Sequence, residues 1–338
     1  MAGGKARVLW ILGGLVAANA LGWAWALIAF HDYPILLGMA LLAYSFGLKH
    51  AVDADHIAAI DNVTRKLMNE GSRADTVGLF FSLGHSSVVI AASIGVAVAA
   101  SSLQSRFEAF RQVGSLIGTS VSVGFLLIIA AINLGVLRSV WRAFERVRRG
   151  GLVSDDDYDL LLNNRGFLTR ILRPVMRMVS KPWHLYPLGF AFGLGFDTAT
   201  EISLLGLSAA QAAQGLEIWS ILVFPVLFAA GMALVDTADS ILMVAAYGWA
   251  FVNPLRKLYY NLTITAVSVL VALIVGGIEA LGLVQGRIGN DGAFWQAIEA
   301  LNRNFGSIGY LIIALFVVSW LVSMAFYRLR GYGRAELP

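Results

Sequence analysis

The stretch KHAVDADHIAAIDN, Lys49 to Asn62, closes an apolar run that begins near Pro34. It gathers His50, Asp53, Asp55, His56 and Asp61, two of the chain's five histidines with three acids. Leu, Ala, Gly and Phe dominate the residues leading in, so the cluster does not belong to a water-facing helix. An ionisable group carried into a bilayer costs about 2.5–3.5 kcal/mol on insertion scales. A chain that accepts several such costs in one short segment points to a cation bound there. Imidazole with carboxylate is a ligand set for a divalent transition metal, whereas carboxylates and carbonyls alone would favour magnesium or calcium.

Spacing sharpens the expectation. At 100° per residue His50, Asp53 and His56 share one sector of a helix, Asp61 returns close to the azimuth of His50, and Asp55 falls on the far side. His50 and His56 would also lie roughly 9 Å apart along an unbroken axis. One ion held by both therefore needs long reach from each side chain or a helix that opens locally, and a distortion is expected between Gly47 and His56. The alternative for this cluster is an interhelical hydrogen-bond network without metal.

Outward from this stretch the composition sets the class. Of 338 residues 58% are hydrophobic and 14% charged, against about 25% charged in soluble domains. Eight apolar runs reach the roughly 20 residues a helix needs to span: 8–30, 34–60, 76–100, 114–137, 186–209, 218–247, 258–283 and 307–327. The fold expected is all-α, a polytopic membrane protein of about eight transmembrane helices, since open strands would leave backbone groups unpaired in lipid. Lys5 and Arg7 before an apolar stretch imitate a signal peptide, but the run continues to Phe30 and fits a retained span.

Charge placement orients the spans. With the N-terminus inside, twenty lysines and arginines flank the inner side, including Arg65, Lys66 and ten between Arg138 and Lys181. Only Arg106, Arg111, Arg287 and Arg303 flank the outer side. Both termini are therefore expected in the cytoplasm of a multi-pass cell-membrane protein. Residues 1–137 carry four spans, 138–185 form a basic cytoplasmic loop, and 186–338 carry the other four. Within the loop, apolar residues from Phe167 to Met176 recur among Arg165, Arg170, Arg173 and Arg177, the pattern of a helix lying on the inner leaflet. The triplet Asp155-Asp156-Asp157 reads as a solvated turn. The net charge of +4 lies between apolar runs and gives no nucleic-acid face. There is no cysteine, so thiolate sites are excluded. No phosphate loop of the G-x-x-x-x-G-K-[ST] type occurs, so transport driven by this chain's own ATP hydrolysis is excluded as well.

Further polar residues sit inside other spans: His85 and Ser86 in the third, Asn133 in the fourth, Asp197, Thr200 and Glu201 in the fifth, Asp236 and Asp239 in the sixth. Asp197 with Glu201 at i, i+4 and Asp236 with Asp239 at i, i+3 each share a helix face. These groups are candidates for an ion path, for proton titration or for supporting the ligands. The alternatives are a structural histidine at 85, an interhelical bond at Asn133, and pairing of the acids with Lys49 or with backbone. A faint internal likeness sets Phe46-Gly47-Leu48 beside Phe192-Gly193-Leu194, on spans expected to run in opposite directions, as an inverted repeat would.

His50, four residues, then Asp55-His56, within GLKHAVDADHIAAIDN, resembles the H-x4-D-H signature of the nickel/cobalt transporter family (NiCoT permeases). Leu83-Gly84-His85-Ser86, Gly195-Phe196-Asp197-Thr198-Ala199-Thr200-Glu201 and Val235-Asp236-Thr237 are similar to further motifs of that family. Lys49 stands where the family commonly has arginine. The resemblance implies a permease, not an enzyme, that takes up nickel or cobalt ions held by His50, Asp55 and His56. The metal is then the transported substrate with no cofactor besides, and no ATPase subunit is required. The rival classes are a membrane metalloenzyme and a metal-binding sensor or accessory protein. No H-E-x-x-H helix supports the first, and no signalling domain supports the second.

Overall fold

The computed structural model describes residues 2–99, 104–148, 179–195, 198–250, 254–288 and 292–329. The expected surface helix and acidic turn of the central loop, and Asp197, lie outside them. Among the described residues every regular element is helical: α1 (Ala2–Phe30), α2 (Pro34–His50), α3 (Ala54–Asn69), α4 (Val77–Ala99), α5 (Gln104–Arg148), a 3-10 turn (Pro182–His184), α6 (Leu185–Gly193), α7 (Ala199–Ala213), α8 (Ile218–Ile221), α9 (Val223–Ala250), α10 (Pro254–Ile288), α11 (Ala293–Arg303) and α12 (Phe305–Leu329).

Five segments are each long and apolar enough to cross a bilayer: Ala6–Phe30, Val77–Val98, Gln112–Arg138, Ile218–Gly248 and Leu262–Ile288. Two bent pairs raise this to seven, α2 with α3 at 50° and α11 with the first part of α12 at 72°. The protein is an all-helical multi-pass membrane protein. The fifth apolar run is divided between α6 and α7, of 9 and 15 residues.

The second apolar run does break within the stretch Gly47 to His56 where a distortion is expected. α2 closes with bonds from the Val52 amide to the Lys49 carbonyl (3.0 Å) and from the Asp53 amide to the His50 carbonyl (2.9 Å). α3 restarts from Asp53, whose ψ of 148° is extended. These tight bonds satisfy donors and acceptors that the break would otherwise orphan in an apolar interior. α12 seals the break from outside, since a side chain at Gly309 would run into the Val52 carbonyl.

Beyond the break, α3 is an interior helix with polar residues. Arg65 and Lys66, counted as a cytoplasmic flank from sequence, are 1% and 8% exposed. The Tyr247 hydroxyl (2.8 Å) and Ser268 hydroxyl (2.6 Å) donate to the Asp61 carboxylate. Arg65 donates to Thr265 Oγ1 (3.0 Å) and Asn62 Oδ1 (3.3 Å), and Asn133 of α5 also donates to Asn62 Oδ1, at 2.5 Å. Lys66 reaches the Val179 carbonyl at 2.6 Å. Hydrogen bonds from α5, α9 and α10 thus hold a polar helix inside the bundle, where each unmade bond would cost about 1–3 kcal/mol. Glu279 on α10 accepts from Ser122 of α5 at 2.7 Å.

Candidate metal centre

The break folds His56 back toward His50. Their ring centroids lie 4.6 Å apart, about half the axial separation an unbroken helix would impose. His85, from the middle of α4, completes a triangle with centroids 4.8 Å from His50 and 4.9 Å from His56. All three imidazoles are buried, at 1%, 0% and 3% exposure. One ring nitrogen from each falls within 4.8 Å of the others. With metal–nitrogen bonds of about 2.1 Å, two nitrogens on one ion are at most about 4.2 Å apart. A contraction of about 1 Å would therefore bring all three onto one ion.

The hydrogen bonds behind the rings aim them. His50 Nδ1 meets Asp53 Oδ2 at 2.8 Å, which turns Nε2 inward. Asp53 occupies the N-cap of α3, where a carboxylate ordinarily accepts from the first amides of the helix. It makes no such bond and serves His50 instead. His56 Nδ1 lies 3.4 Å from the Asp236 carboxylate of α9, and its Nε2 is buried without a hydrogen-bond partner. Carboxylate behind one ring nitrogen and the other nitrogen left for an ion is the usual arrangement at a metal-binding histidine. An unpartnered buried nitrogen is costly unless something else occupies it. The donor set therefore fits a transition-metal ion.

α7 supplies the oxygen side. Thr198 caps this helix and accepts from the Glu201 amide at 3.4 Å, half of a capping box whose glutamate side chain is used elsewhere. Glu201 Oε1 lies 2.9 Å from His85 Nε2 and 3.9 Å from His50 Nε2, and Oε2 accepts from Thr198 at 2.9 Å. Thr198 and Thr200 hydroxyls approach His50 Nδ1 at 3.4 and 3.3 Å. Phe228 and Phe81 wall the cluster, with centroids 5.5 Å from His50 and 4.8 Å from His56.

The structure thus unites His50, His56, Asp53, His85, Thr200, Glu201 and Asp236. Asp55, in the first turn of α3, is partly buried and its carboxylate is outside the three-nitrogen group. Ser86 is buried beside His85, with its hydroxyl unpartnered. Asp239 lies one turn along α9 from Asp236. Asp61 and Asn133 belong to the separate network on α3, so Asn133 bonds a neighbouring helix. Glu201 of α7 and Asp236 of α9 pair with imidazoles. Thr198 was not singled out from sequence; its Thr-x-x-Glu spacing, a helix-start signal, was the available clue.

Residues 36–326 match the NicO family, described as high-affinity nickel-transport protein. The chain is 60% identical over 333 residues to the high-affinity nickel transport protein of Cupriavidus necator, covering 98% of this chain and 95% of that one. It is 41% identical over 321 residues to the high-affinity nickel-transport protein NixA of Helicobacter pylori strain 26695, covering 94% and 95%. It is 38% identical over 333 residues to the cobalt transport protein NhlF of Rhodococcus rhodochrous, covering 96% and 94%. No solved structure matches the chain.

Proposed function

The chain belongs to the NicO family of high-affinity nickel-transport proteins, and from that premise we propose that it is a permease carrying nickel or cobalt ions into the cell across the cytoplasmic membrane. The observation that carries this reading is the convergence of His50, His56 and His85 inside a membrane-spanning bundle. Neutral imidazoles hold the ion through nitrogen. Asp53, Asp236 and Glu201 orient those rings and balance the dication's charge, and Asp55, at the start of α3, supplies the carboxylate of the H-x4-D-H motif. Nitrogen and oxygen donors in this mixture suit nickel. The ion enters from the outer side and leaves past the break between α2 and α3. Asp239, one turn from Asp236 on α9, extends the polar route, and no partner ATPase is needed.

In this reading α6 and α7 together form the fifth of eight spans, between the basic loop of 138–185 and the last three. Both termini are cytoplasmic. Two contacts support that orientation. Arg7 pairs with Asp75 at 3.2 Å, which sets the start of α1 beside the α3–α4 turn. Lys66 bonds the Val179 carbonyl, which brings the end of the central loop to the same face. Uptake of nickel and cobalt by proteoliposomes carrying the wild-type chain or His50→Ala tests the proposal. Saturable entry lost in the variant supports it, and equal entry in both rejects it.

A further inference from the structure

Glycines set where the helices around the metal centre touch, and they do so twice in the same way. A Cβ on Gly47 of α2 would run into the Phe228 carbonyl of α9, and one on Gly231 of α9 would meet the Tyr44 carbonyl and the Leu48 amide of α2. A Cβ on Gly189 of α6 would run into the Phe81 carbonyl of α4, and one on Gly84 of α4 would meet the Tyr186 carbonyl and the Phe190 amide of α6. Tyr44, Gly47 and Leu48 thus correspond to Tyr186, Gly189 and Phe190, each 142 residues on. Phe81 and Gly84 correspond to Phe228 and Gly231, each 147 residues on. The helices follow the same chain order in both halves.

Two further observations agree. Each leading helix stops within about a turn of its glycine, α2 at His50 and α6 at Gly193, and restarts from a polar N-cap, Asp53 or Thr198. The corresponding helices α4 and α9 also run antiparallel. Gly78 lies against the Asp236 backbone and Ser240 Oγ reaches the Asp75 carbonyl at 3.5 Å, whereas Val89, later on α4, shares an apolar cluster with Val223 and Phe224 at the start of α9. Equivalent helices of opposite direction are what inverted-topology repeats produce, with the substrate site at their interface. The Phe-Gly-Leu likeness noted in the sequence set Gly47 against Gly193. The contacts move the correspondence by one turn, to Gly189.

We propose that residues 34–99 and 185–250 are two inverted repeats that exchange partners, and that the ion is passed on as one rigid pair, α2 with α9, moves against the other, α4 with α6. The inference rests on the permease reading above. Within each pair backbone touches backbone at glycine, so there is no side-chain layer to slide. Between the pairs the imidazoles meet polar groups and the Phe81 ring. His50, His56 and Asp236 stand on one pair or its continuation α3. His85 stands on the other, with Thr198, Thr200 and Glu201 on its continuation α7. The bonds from one side to the other converge on His50, at 3.0 Å to His85 and 3.3 and 3.4 Å to Thr200 and Thr198. An ion seated among these groups is bound by both bodies at once. The close approach of Gly78 to Asp236 marks the pivot.

The chain's lack of cysteine makes site-directed labelling clean. Leu42, Val98, Tyr186 and Leu242 are exposed on α2, α4, α6 and α9. Dye pairs on Leu42→Cys/Leu242→Cys and on Val98→Cys/Tyr186→Cys report within each pair, and Leu42→Cys/Val98→Cys reports across them. Energy transfer is followed in liposomes with and without saturating nickel. The expected result is one unchanging level within each pair and two levels across the pairs, whose occupancy nickel shifts. Within-pair changes as large as the across-pair change overturn the proposal. Nickel flux on the same liposomes separates the two claims: flux with a single, nickel-insensitive across-pair level overturns the two-body motion alone, and absence of flux overturns the permease reading with it.

Discussion

His50 and His85, on different helices and 35 residues apart, face each other Nε2 to Nε2 at 3.0 Å. Two nitrogens bound side by side on one ion at about 2.1 Å would be about 3.0 Å apart. These two rings therefore stand at the spacing of adjacent ligands on one ion.

The carboxylates behind the rings are predicted to tune affinity. Asp53→Asn and Glu201→Gln each leave the histidines in place but weaken the charge and the bond that aims them. Loss of such a partner typically costs about 10–100-fold in metal affinity. Nickel titration of the purified variants by calorimetry checks this. An affinity equal to wild type in both would show that these acids do not support the ligands.

The glycine crossings predict a sharp positional contrast. Gly47→Ala and Gly189→Ala each force a methyl group into a backbone carbonyl, and overpacking of that kind costs about 1–3 kcal/mol or more. Gly95→Ala, on α4 with open space around it, meets nothing. Thermal unfolding in detergent is expected to show the first two clearly destabilised and the third near wild type. Equal stability of all three would contradict the close packing of α2 on α9 and α6 on α4.

The network on α3 is predicted to serve stability more than binding. Asp61→Ala removes the acceptor of the Tyr247 and Ser268 hydroxyls and the carboxylate one turn from buried Arg65. A buried group that loses its partner costs about 1–3 kcal/mol. Tyr247→Phe removes one bond and is expected to cost less. A large fall in melting temperature for Asp61→Ala, with nickel affinity retained by the folded fraction, is the expected pattern. Loss of binding at unchanged stability would move Asp61 into the metal centre.

Orientation is open to direct labelling. Arg73→Cys, in the α3–α4 turn, and Glu217→Cys, between α7 and α8, are both exposed positions. A membrane-impermeant maleimide applied to intact cells is expected to label Glu217→Cys and to spare Arg73→Cys until the membrane is opened. The reverse pattern would invert the topology.

Much of the candidate site was legible because physics made it so. Two histidines too far apart on a straight helix, in an apolar run that could not otherwise bear them, implied both an ion and a break, and α2 ends at His50 accordingly. His85 was less legible, since a lone intramembrane histidine carries no spacing information; only the fold supplies its partners. The interior course of α3 was hidden by its own residues. Arg65 and Lys66 after an apolar run look like a charged flank, and their burial depends on acceptors 113 to 200 residues away. The three-residue likeness in the sequence stands one turn out of register, because the matching residues, Tyr44 with Tyr186, Gly47 with Gly189, Phe81 with Phe228 and Gly84 with Gly231, are scattered and only the glycine contacts align them.

The central claim is that imidazoles from α2, α3 and α4 jointly seat an ion that crosses the bilayer. Nickel entry into proteoliposomes holding the purified chain, compared with His50→Ala/His85→Ala, tests it most directly. The account predicts saturable entry for the wild type and background entry for the double variant, with both proteins inserted to the same extent. Wild-type entry at background level, or undiminished entry in the variant, would contradict it.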